Sequence, residues 1–506
     1  MSNLLYDTFF RSHAGSSNVF LHLGDGTTIS YGDFLTKAAQ IAHSFSDFGI
    51  EQGDRVAVQV AKSPEALAVY AACVQAGAVF LPLNTAYTVG ELRYFIENSG
   101  ARLVVCDSKM KEALSPVCEQ MNAQMTTLNA DGSGDLTELA KGKPETFDTV
   151  PRSGDDLAAF LYTSGTTGRS KGAMLTHANL ASNAQTLVEH WRFSSGDVLL
   201  HALPIFHTHG LFVATNVTLA AGSSMIFLPK FDLGQMLDLI PKATTMMGVP
   251  TFYTRLLGDE RFNKSLTQHM RLFISGSAPL LAETHVDFET RTAHRILERY
   301  GMTETNMNTS NPYDGDRKAG TVGKPLPGVE LKITDPNTGS ELPDGEIGQI
   351  EVRGPNVFKG YWQMPDKTAA ELRSDGFFIT GDLGKIDEDG YVQIVGRNKD
   401  LIISGGYNIY PKEIELLLDD QPGVLESAVV GVPHPDFGET VLGLLVANTS
   451  STPDLNAIEE AVKTSLARFK QPRKLIVVDE LPRNTMGKVQ KNVLRETYKE
   501  LYESTA

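Results

Sequence analysis

The stretch RVAVQVAKSPEALAVYAACVQAGAVFLPL, Arg55 to Leu83, decides the fold class. Val56 to Val60 is an apolar run of strand length. Ser63 followed by Pro64 is a helix start: the hydroxyl caps a free backbone N–H, and the proline ring needs no hydrogen bond in a first turn. Gly77 is a helix stop, because a residue without Cβ enters the left-handed conformation cheaply. Ala78 to Leu83 then reads as a second buried strand. A helix between two strands leaves no tight hairpin, so the strands are expected to lie parallel. Thr88 and Glu91 form a capping-box signature for a helix ending near Gly100, and Leu103 to Cys106 supplies a third strand. Leu157 to Tyr162, Thr244 to Gly248 and Leu272 to Ser275 are further strand candidates. The expectation is an α/β protein whose large N-terminal domain is built of βα units with mixed or parallel sheets.

The pattern changes near Arg397, after the turn Asp387-Glu388-Asp389-Gly390. Beyond it come a helix over Pro411 to Asp419, strands over Ser427 to Val432 and Val441 to Ala447, a helix over Leu455 to Phe469, and a strand over Leu475 to Val478. A segment of about 100 residues suffices for an independent domain. The expected boundary separates residues 1–398 from a small, mobile α+β domain over 399–506. Asp131 to Arg152 is polar and rich in small residues, and reads as a connecting excursion.

At 506 residues the chain exceeds what one core serves. A net charge of −16 argues against a general nucleic-acid binder, which needs a basic face. Any anionic ligand must therefore be met by local cations. The first residues lack signal-peptide patterning, and the alanine-rich run Ala66 to Leu83 is broken by Gln75, Gly77 and Pro82. A cytoplasmic protein that neither enters membranes nor binds nucleic acid is expected, as a monomer. Cys73, Cys106 and Cys118 are odd in number and unpatterned, so reduced thiols are expected.

Chemistry first shows in Tyr162-Thr163-Ser164-Gly165-Thr166-Thr167-Gly168-Arg169-Ser170-Lys171-Gly172. Glycines let backbone N–H groups turn toward an anion, hydroxyls add donors, and Lys171 brings charge. The spacing is not that of a Walker A loop, since Ser170 stands five residues after Gly165 and Gly172 follows Lys171. Thr163, Ser164, Gly165, Thr166, Thr167, Gly168 and Lys171 are the candidate phosphate ligands.

Further clusters follow in order: His201 to Gly210, Arg299 to Glu304, Phe378 to Asp382, Gly396 to Glu415 and Pro482 to Lys488. Together with the phosphate loop they resemble the adenylate-forming acyl-CoA synthetases over nearly the whole chain, and within that family the members that act on malonate. The resemblance implies two half-reactions. A carboxylate attacks the α-phosphorus of ATP and releases pyrophosphate; the thiol of coenzyme A then displaces AMP. It also implies that Lys488 bridges the α-phosphate and the substrate carboxylate, and that Glu304 holds Mg2+. By the same resemblance Gly276, Ser277, Ala278, Tyr300, Gly301, Met302 and Thr303 line the nucleotide, while Asp382 and Arg397 meet its ribose. His207 borders the acyl pocket and His209 is structural. No cysteine, further histidine or acidic residue stands at ligand spacing from this pair, so zinc is not expected.

The acid itself points to Arg255, at the end of Gly248-Val249-Pro250-Thr251-Phe252-Tyr253-Thr254-Arg255. An arginine facing the acyl pocket demands a second carboxylate, as malonate has. Arg271 is the substitute candidate and Met302 a pocket wall. For the second half-reaction, the resemblance makes Lys399 the hinge and lines the pantetheine channel with Ser404, Gly405 and Gly406. Lys470, within the basic cluster Arg468, Lys470, Arg473 and Lys474, meets the phosphates of coenzyme A. A different small acid such as methylmalonate or acetate, or a carrier protein as acceptor, remains compatible with these residues.

Overall fold

The computed structural model describes residues 2–163, 170–278, 280–404, 407–434, 437–448, 451–484 and 487–502. The chain divides into two compact units, Met1–Leu331 with Val352–Phe378, and Lys332–Glu351 with Ile379–Ala506. The fold is α/β, with large parallel and mixed sheets in the first unit and smaller, mainly antiparallel sheets in the second.

In the first unit a six-stranded sheet runs in the order Gln124–Thr127, Leu103–Cys106, Arg55–Gln59, Val79–Pro82, Leu157–Thr163, Lys171–Thr176. Arg55–Gln59 pairs in parallel with both Val79–Pro82 and Leu103–Cys106, as the helices between them require. The helix Pro64–Ala76 begins with the Ser63 hydroxyl accepting from the N–H of Ala66 and stops at Gly77, whose φ is +70°. The capping box of Thr88 and Glu91 is formed in both directions. Leu81, Phe95, Val104 and Phe160 pack in one buried cluster against this sheet.

The last two strands of that sheet flank residues 164–170. Lys171–Thr176 runs antiparallel to Leu157–Thr163, and Lys171 stands directly opposite Thr163. A Cβ at Gly172 would lie 2.3 Å from the Phe160 ring, so only glycine lets the strand after Lys171 sit this close to the core. The edge is then covered by residues 360–362: Met174 donates to the carbonyl of Gly360, Ala173 bridges Tyr361, and Trp362 donates to the carbonyl of Gly172.

A nine-stranded sheet completes the unit, with the neighbouring strands Val198–His201, Thr245–Gly248, Leu272–Ser275 and Leu297–Met302 in parallel. Their carboxyl ends carry His201 to His207, Val249, Gly276 to Ala278, and Thr303 and Glu304. This is where ligands bind in parallel sheets, since each chain leaves its strand into a loop there.

The second unit holds most of a four-stranded sheet, Glu330–Thr334, Gly348–Arg353, Phe378–Ile386 and Val392–Arg397. It also holds a sheet built on the long hairpin Val424–His434 and Gly438–Ala447, with Lys474–Val478 added in parallel. Helix Pro411–Asp419 packs through Ile414 and Leu418 into the core formed with Val429, Leu445, Ile458 and Val462.

Three expectations change. The helix from Leu455 ends at Ser465, because Leu466 is extended, and a separate 3-10 turn covers Arg468–Lys470. The strand expected over Ser427 to Val432 runs from Val424 to His434, since both its ends are held by cross-strand pairing with Gly438–Ala447. The polar excursion contains the short helix Asp135–Ala140, which buries Leu136 and Ala140. Among the described residues no helix is long and apolar enough to cross a membrane.

Candidate active site

At the end of strand Leu272–Ser275 the chain turns through Gly276 and Ser277, the latter at φ +72°. A Cβ at Gly276 would lie 2.5 Å from Cζ of Arg299, so the backbone here rests against a guanidinium. Arg299 sits on strand Leu297–Met302 and is only 3% exposed. Its Nε and Nη2 have no hydrogen-bond partner, and among the described residues no carboxylate pairs with it. Burial pushes its pKa down to about 9, against a smaller upward pull from the Tyr253 phenol. An uncompensated buried charge costs several kcal/mol, so an arginine left in this state marks a place built to meet an anion.

Two histidines stand beside it. His209 is buried, with Nδ1 3.1 Å from Oγ of Ser277. Burial, and then the charges of Arg299, His207 and His201, hold His209 well below the ordinary histidine range, so it is neutral at pH 7. His207 is half-buried in the turn that leads into a π-helix over His209–Thr215, its carbonyl accepting from Leu211. π-Helical turns are rare and gather at functional sites. A buried cation, two imidazoles and a serine hydroxyl thus share one end of the sheet.

A second cluster surrounds Glu304, which is 5% exposed. Its Oε1 accepts from Oγ1 of Thr163 at 3.3 Å and lies 3.1 Å from the Tyr361 hydroxyl. The same hydroxyl is 2.7 Å from Oε2 of Glu371, which also faces Nζ of Lys171 at 3.4 Å. Nζ of Lys171 lies 4.1 Å from the centroid of the Tyr361 ring. Burial alone would raise the Glu371 pKa, but hydrogen bonds from Lys367 and Tyr361, with the charges of Lys171 and Lys367, hold it below the usual carboxylate range. Among the described residues no group of three or more His, Cys, Asp or Glu side chains forms a metal cage. One buried carboxylate beside a threonine hydroxyl instead suits a magnesium ion that takes its remaining oxygens from phosphates and water.

In the second unit Asp382 and Arg397 are cross-strand partners, Nε to Oδ1 at 2.6 Å, with Asp382 buried. Lys488 is exposed and paired with Asn484, whose side chain accepts from the N–H of Lys488 and whose N–H donates to the Lys488 carbonyl. Lys399 is exposed in the 3-10 turn Asn398–Asp400. Lys470 is ion-paired with both oxygens of Glu413, at 2.7 and 2.9 Å. Ser164, Gly165, Thr166, Thr167, Gly168, Gly405 and Gly406 lie outside the described residues.

The two arginines expected at the acid behave differently. Arg255 is exposed on helix Pro250–Leu257, its guanidinium 5.7 Å from the centroid of the Phe231 ring. Arg271 is taken: Nε and Nη2 grip Asp197 at 2.6 and 2.8 Å.

The model of the AMP-binding enzyme family matches residues 10–362, and that of the AMP-binding enzyme C-terminal domain matches residues 413–488. The chain is an AMP-binding enzyme. It is 34% identical to the malonate–CoA ligase of Arabidopsis thaliana, over 94% of this chain and 85% of that protein. Against a feruloyl-CoA synthase from Amycolatopsis it is 35% identical over 94% of both chains. The crystal structure of ATP-bound MatB from Rhodopseudomonas palustris superposes with a TM-score of 0.96 at 59% identity, covering 99% of both chains.

Four residues of this AMP-binding enzyme were not singled out for the site in its sequence: Arg299, Tyr361, Glu371 and Lys62. Arg299 opens a motif, but burial without a partner is not written in residue order. Lys62 follows the strand Arg55–Gln59 and is half-buried. Its ammonium reaches Nδ1 and the carbonyl of His201 and the carbonyl of Leu203, each at 2.9 Å, and lies 4.3 Å from the centroid of the Phe227 ring. Nε2 of His201 is 2.8 Å from the Gly210 carbonyl, which requires the proton on Nε2 and leaves Nδ1 to accept from Lys62. Burial lowers the Lys62 pKa well below the ordinary value, yet three acceptors call for the three donors of an ammonium. Lys62→Met leaves those acceptors bare and is expected to destabilise the protein by about 2–4 kcal/mol. Urea denaturation of the variant measures this, and an unchanged midpoint would refute the role.

Proposed function

We propose that this AMP-binding enzyme joins malonate to coenzyme A, using ATP, through a malonyl-adenylate. A malonate carboxylate oxygen bonds to the α-phosphorus of ATP while the bond to the pyrophosphate oxygen breaks. The sulfur of coenzyme A then bonds to the acyl carbon, AMP leaves with the former carboxylate oxygen, and the thiol proton passes to solvent. The products are malonyl-CoA, AMP and pyrophosphate.

The buried, unpaired guanidinium of Arg299 carries the reading. Relatives of closely similar identity act on malonate and on ferulate by name, so overall identity does not choose the acid. A monocarboxylate with a hydrocarbon body would leave Arg299 uncompensated, whereas the second carboxylate of malonate meets it through a planar fork. Arg299 therefore takes the role expected of Arg255. His207 and Met302, both half-buried, border the same acid.

No general base is needed for the first half, because malonate is ionised at pH 7. The difficulty is bringing an anion to a polyanion, so the side chains act by position and charge. Thr163 and Lys171, with loop residues 164–168, hold the outer phosphates. Glu304 holds a magnesium ion, which would neutralise phosphate charge. Tyr300 lies against the adenine, Gly276, Ser277, Ala278, Gly301 and Thr303 shape its surroundings, and Asp382 and Arg397 meet the ribose hydroxyls. Lys488 bridges the α-phosphate and the reacting carboxylate. Lys399 is the hinge between residues 1–398 and 399–506, and Gly405, Gly406 and Lys470 meet coenzyme A, Lys470 exchanging Glu413 for a phosphate. The enzyme acts as a monomer in the cytoplasm.

The test is mass-spectrometric detection of malonyl-CoA and AMP from malonate, ATP and coenzyme A, with acetate, methylmalonate and ferulate in parallel. Malonate is expected to exceed acetate and ferulate by about 10²-fold or more in kcat/KM, the discrimination that one buried charged contact supports. Absence of both products with malonate would overturn the reading.

A further inference from the structure

Glu371 has no part in the chemistry proposed above, yet it is bound to two groups that do or that adjoin them. Its Oε2 lies 3.4 Å from Nζ of Lys171 and 2.7 Å from the Tyr361 hydroxyl, and its Oε1 lies 2.6 Å from Nζ of Lys367. It is the last residue of helix Pro365–Glu371, where a carboxylate meets the negative end of the backbone dipoles. The i,i+4 pair with Lys367 supports the helix through Oε1, but it does not require Oε2 to face Lys171. The side chains of Lys171 and Glu371 are 16% and 22% exposed, so solvent screens this pair less than a surface ion pair. Backbone pairing fixes the arrangement: Ala173 bridges Tyr361 across the covered sheet edge, which sets the Tyr361 ring under the Lys171 ammonium.

A carboxylate offering an oxygen to the phosphate-loop lysine presents what a phosphate oxygen presents. We infer that Glu371 is an internal competitor for the nucleotide, a carboxylate that occupies Lys171 and must give it up when the ATP phosphates bind. This rests on Lys171 being a phosphate ligand, as proposed above. Lys171 then has two states, and the apparent affinity for ATP is reduced by the fraction of molecules in which Glu371 holds it. The ion pair thus weakens nucleotide binding while keeping the lysine next to the place where it is used. Tyr361 keeps the competitor in reach, since its hydroxyl remains bonded to Glu371 whichever partner Lys171 has.

Glu371→Gln tests this, because the amide oxygen still accepts from Tyr361 while the charge that attracts Lys171 is gone. The measurement is the Kd for ATP with magnesium, by isothermal titration calorimetry on the full chain without malonate or coenzyme A. It is made for the parent, Glu371→Gln, Lys171→Met and the double variant, because such a cycle isolates the pairwise term. The expected result is that Lys171→Met weakens ATP binding and that Glu371→Gln tightens it about threefold to tenfold, as an ion pair of this exposure allows. In the Lys171→Met background the Glu371 change is expected to have no effect. Weaker or unchanged ATP binding in Glu371→Gln, with Lys171→Met still harmful, overturns the competitor and leaves Lys171 as a phosphate ligand. An equal tightening in both backgrounds also overturns it, since the effect would then not pass through Lys171. An ATP affinity untouched by Lys171→Met overturns the assignment of the lysine, and the competitor falls with it.

Discussion

Replacing Arg299 with leucine is expected to lower kcat/KM for malonate about 10²- to 10⁴-fold, the equivalent of the roughly 3–5 kcal/mol lost when one partner of a buried charge pair is removed. On the proposed reading Arg299 meets the acid, so the Kd for ATP is expected to change far less than kcat/KM, although the guanidinium also supports the Gly276 backbone. Malonate cannot recover the loss by turning its second carboxylate to water, since Arg299 lies beneath Gly276 and beside the buried His209. Arg299→Lys should restore only part of the rate: an ammonium supplies the charge but not the two parallel donors. Arg255→Leu is the matching control, expected to leave malonate use nearly intact because Arg255 is exposed. Malonate activity surviving in Arg299→Leu and lost in Arg255→Leu would move the clamp to Arg255.

Lys488→Ala is expected to slow formation of malonyl-adenylate about 10²- to 10³-fold, the usual loss for one electrostatic donor aimed at transition-state charge. Pyrophosphate release measures the first half-reaction, and conversion of preformed malonyl-adenylate with coenzyme A measures the second. The second half should be nearly untouched, because there the bond to phosphorus is not being made. Equal losses in both halves would remove Lys488 from the adenylation step. The thermal midpoint of the alanine variant, unchanged from the parent, checks that the loss is of chemistry and not of folding.

Much of the fold was legible because its signals are local. Ser63, Pro64, Gly77, Thr88, Glu91 and Gly100 act within one helical turn of where they stand, and the structure uses each at its helix end. Apolar runs such as Leu103–Cys106 mark strands because a strand buried on both faces has no polar side to show. Where local preference and tertiary context disagree, the reading failed. The ends of Val424–His434 are strand through pairing with Gly438–Ala447, and Leu466 leaves the helical conformation although its residue type favours it.

The site divides in the same way. Residue type and order mark the phosphate loop, because a polyphosphate demands donors and a cation, and the resemblance to the adenylate-forming synthetases adds Glu304, Asp382, Arg397 and Lys488 as candidates. Which arginine meets the acid is not a matter of group, since Arg255, Arg271 and Arg299 carry the same one. Their surroundings separate them: Arg271 is consumed by Asp197, Arg255 faces solvent, and Arg299 is buried with two donor nitrogens unbonded. The sequence by itself determined the helix and strand signals and the chemical inventory of the site. Only the tertiary structure decided which of these three arginines keeps unbonded donors, because desolvation and pairing depend on residues far apart in the chain, such as Arg271 and Asp197.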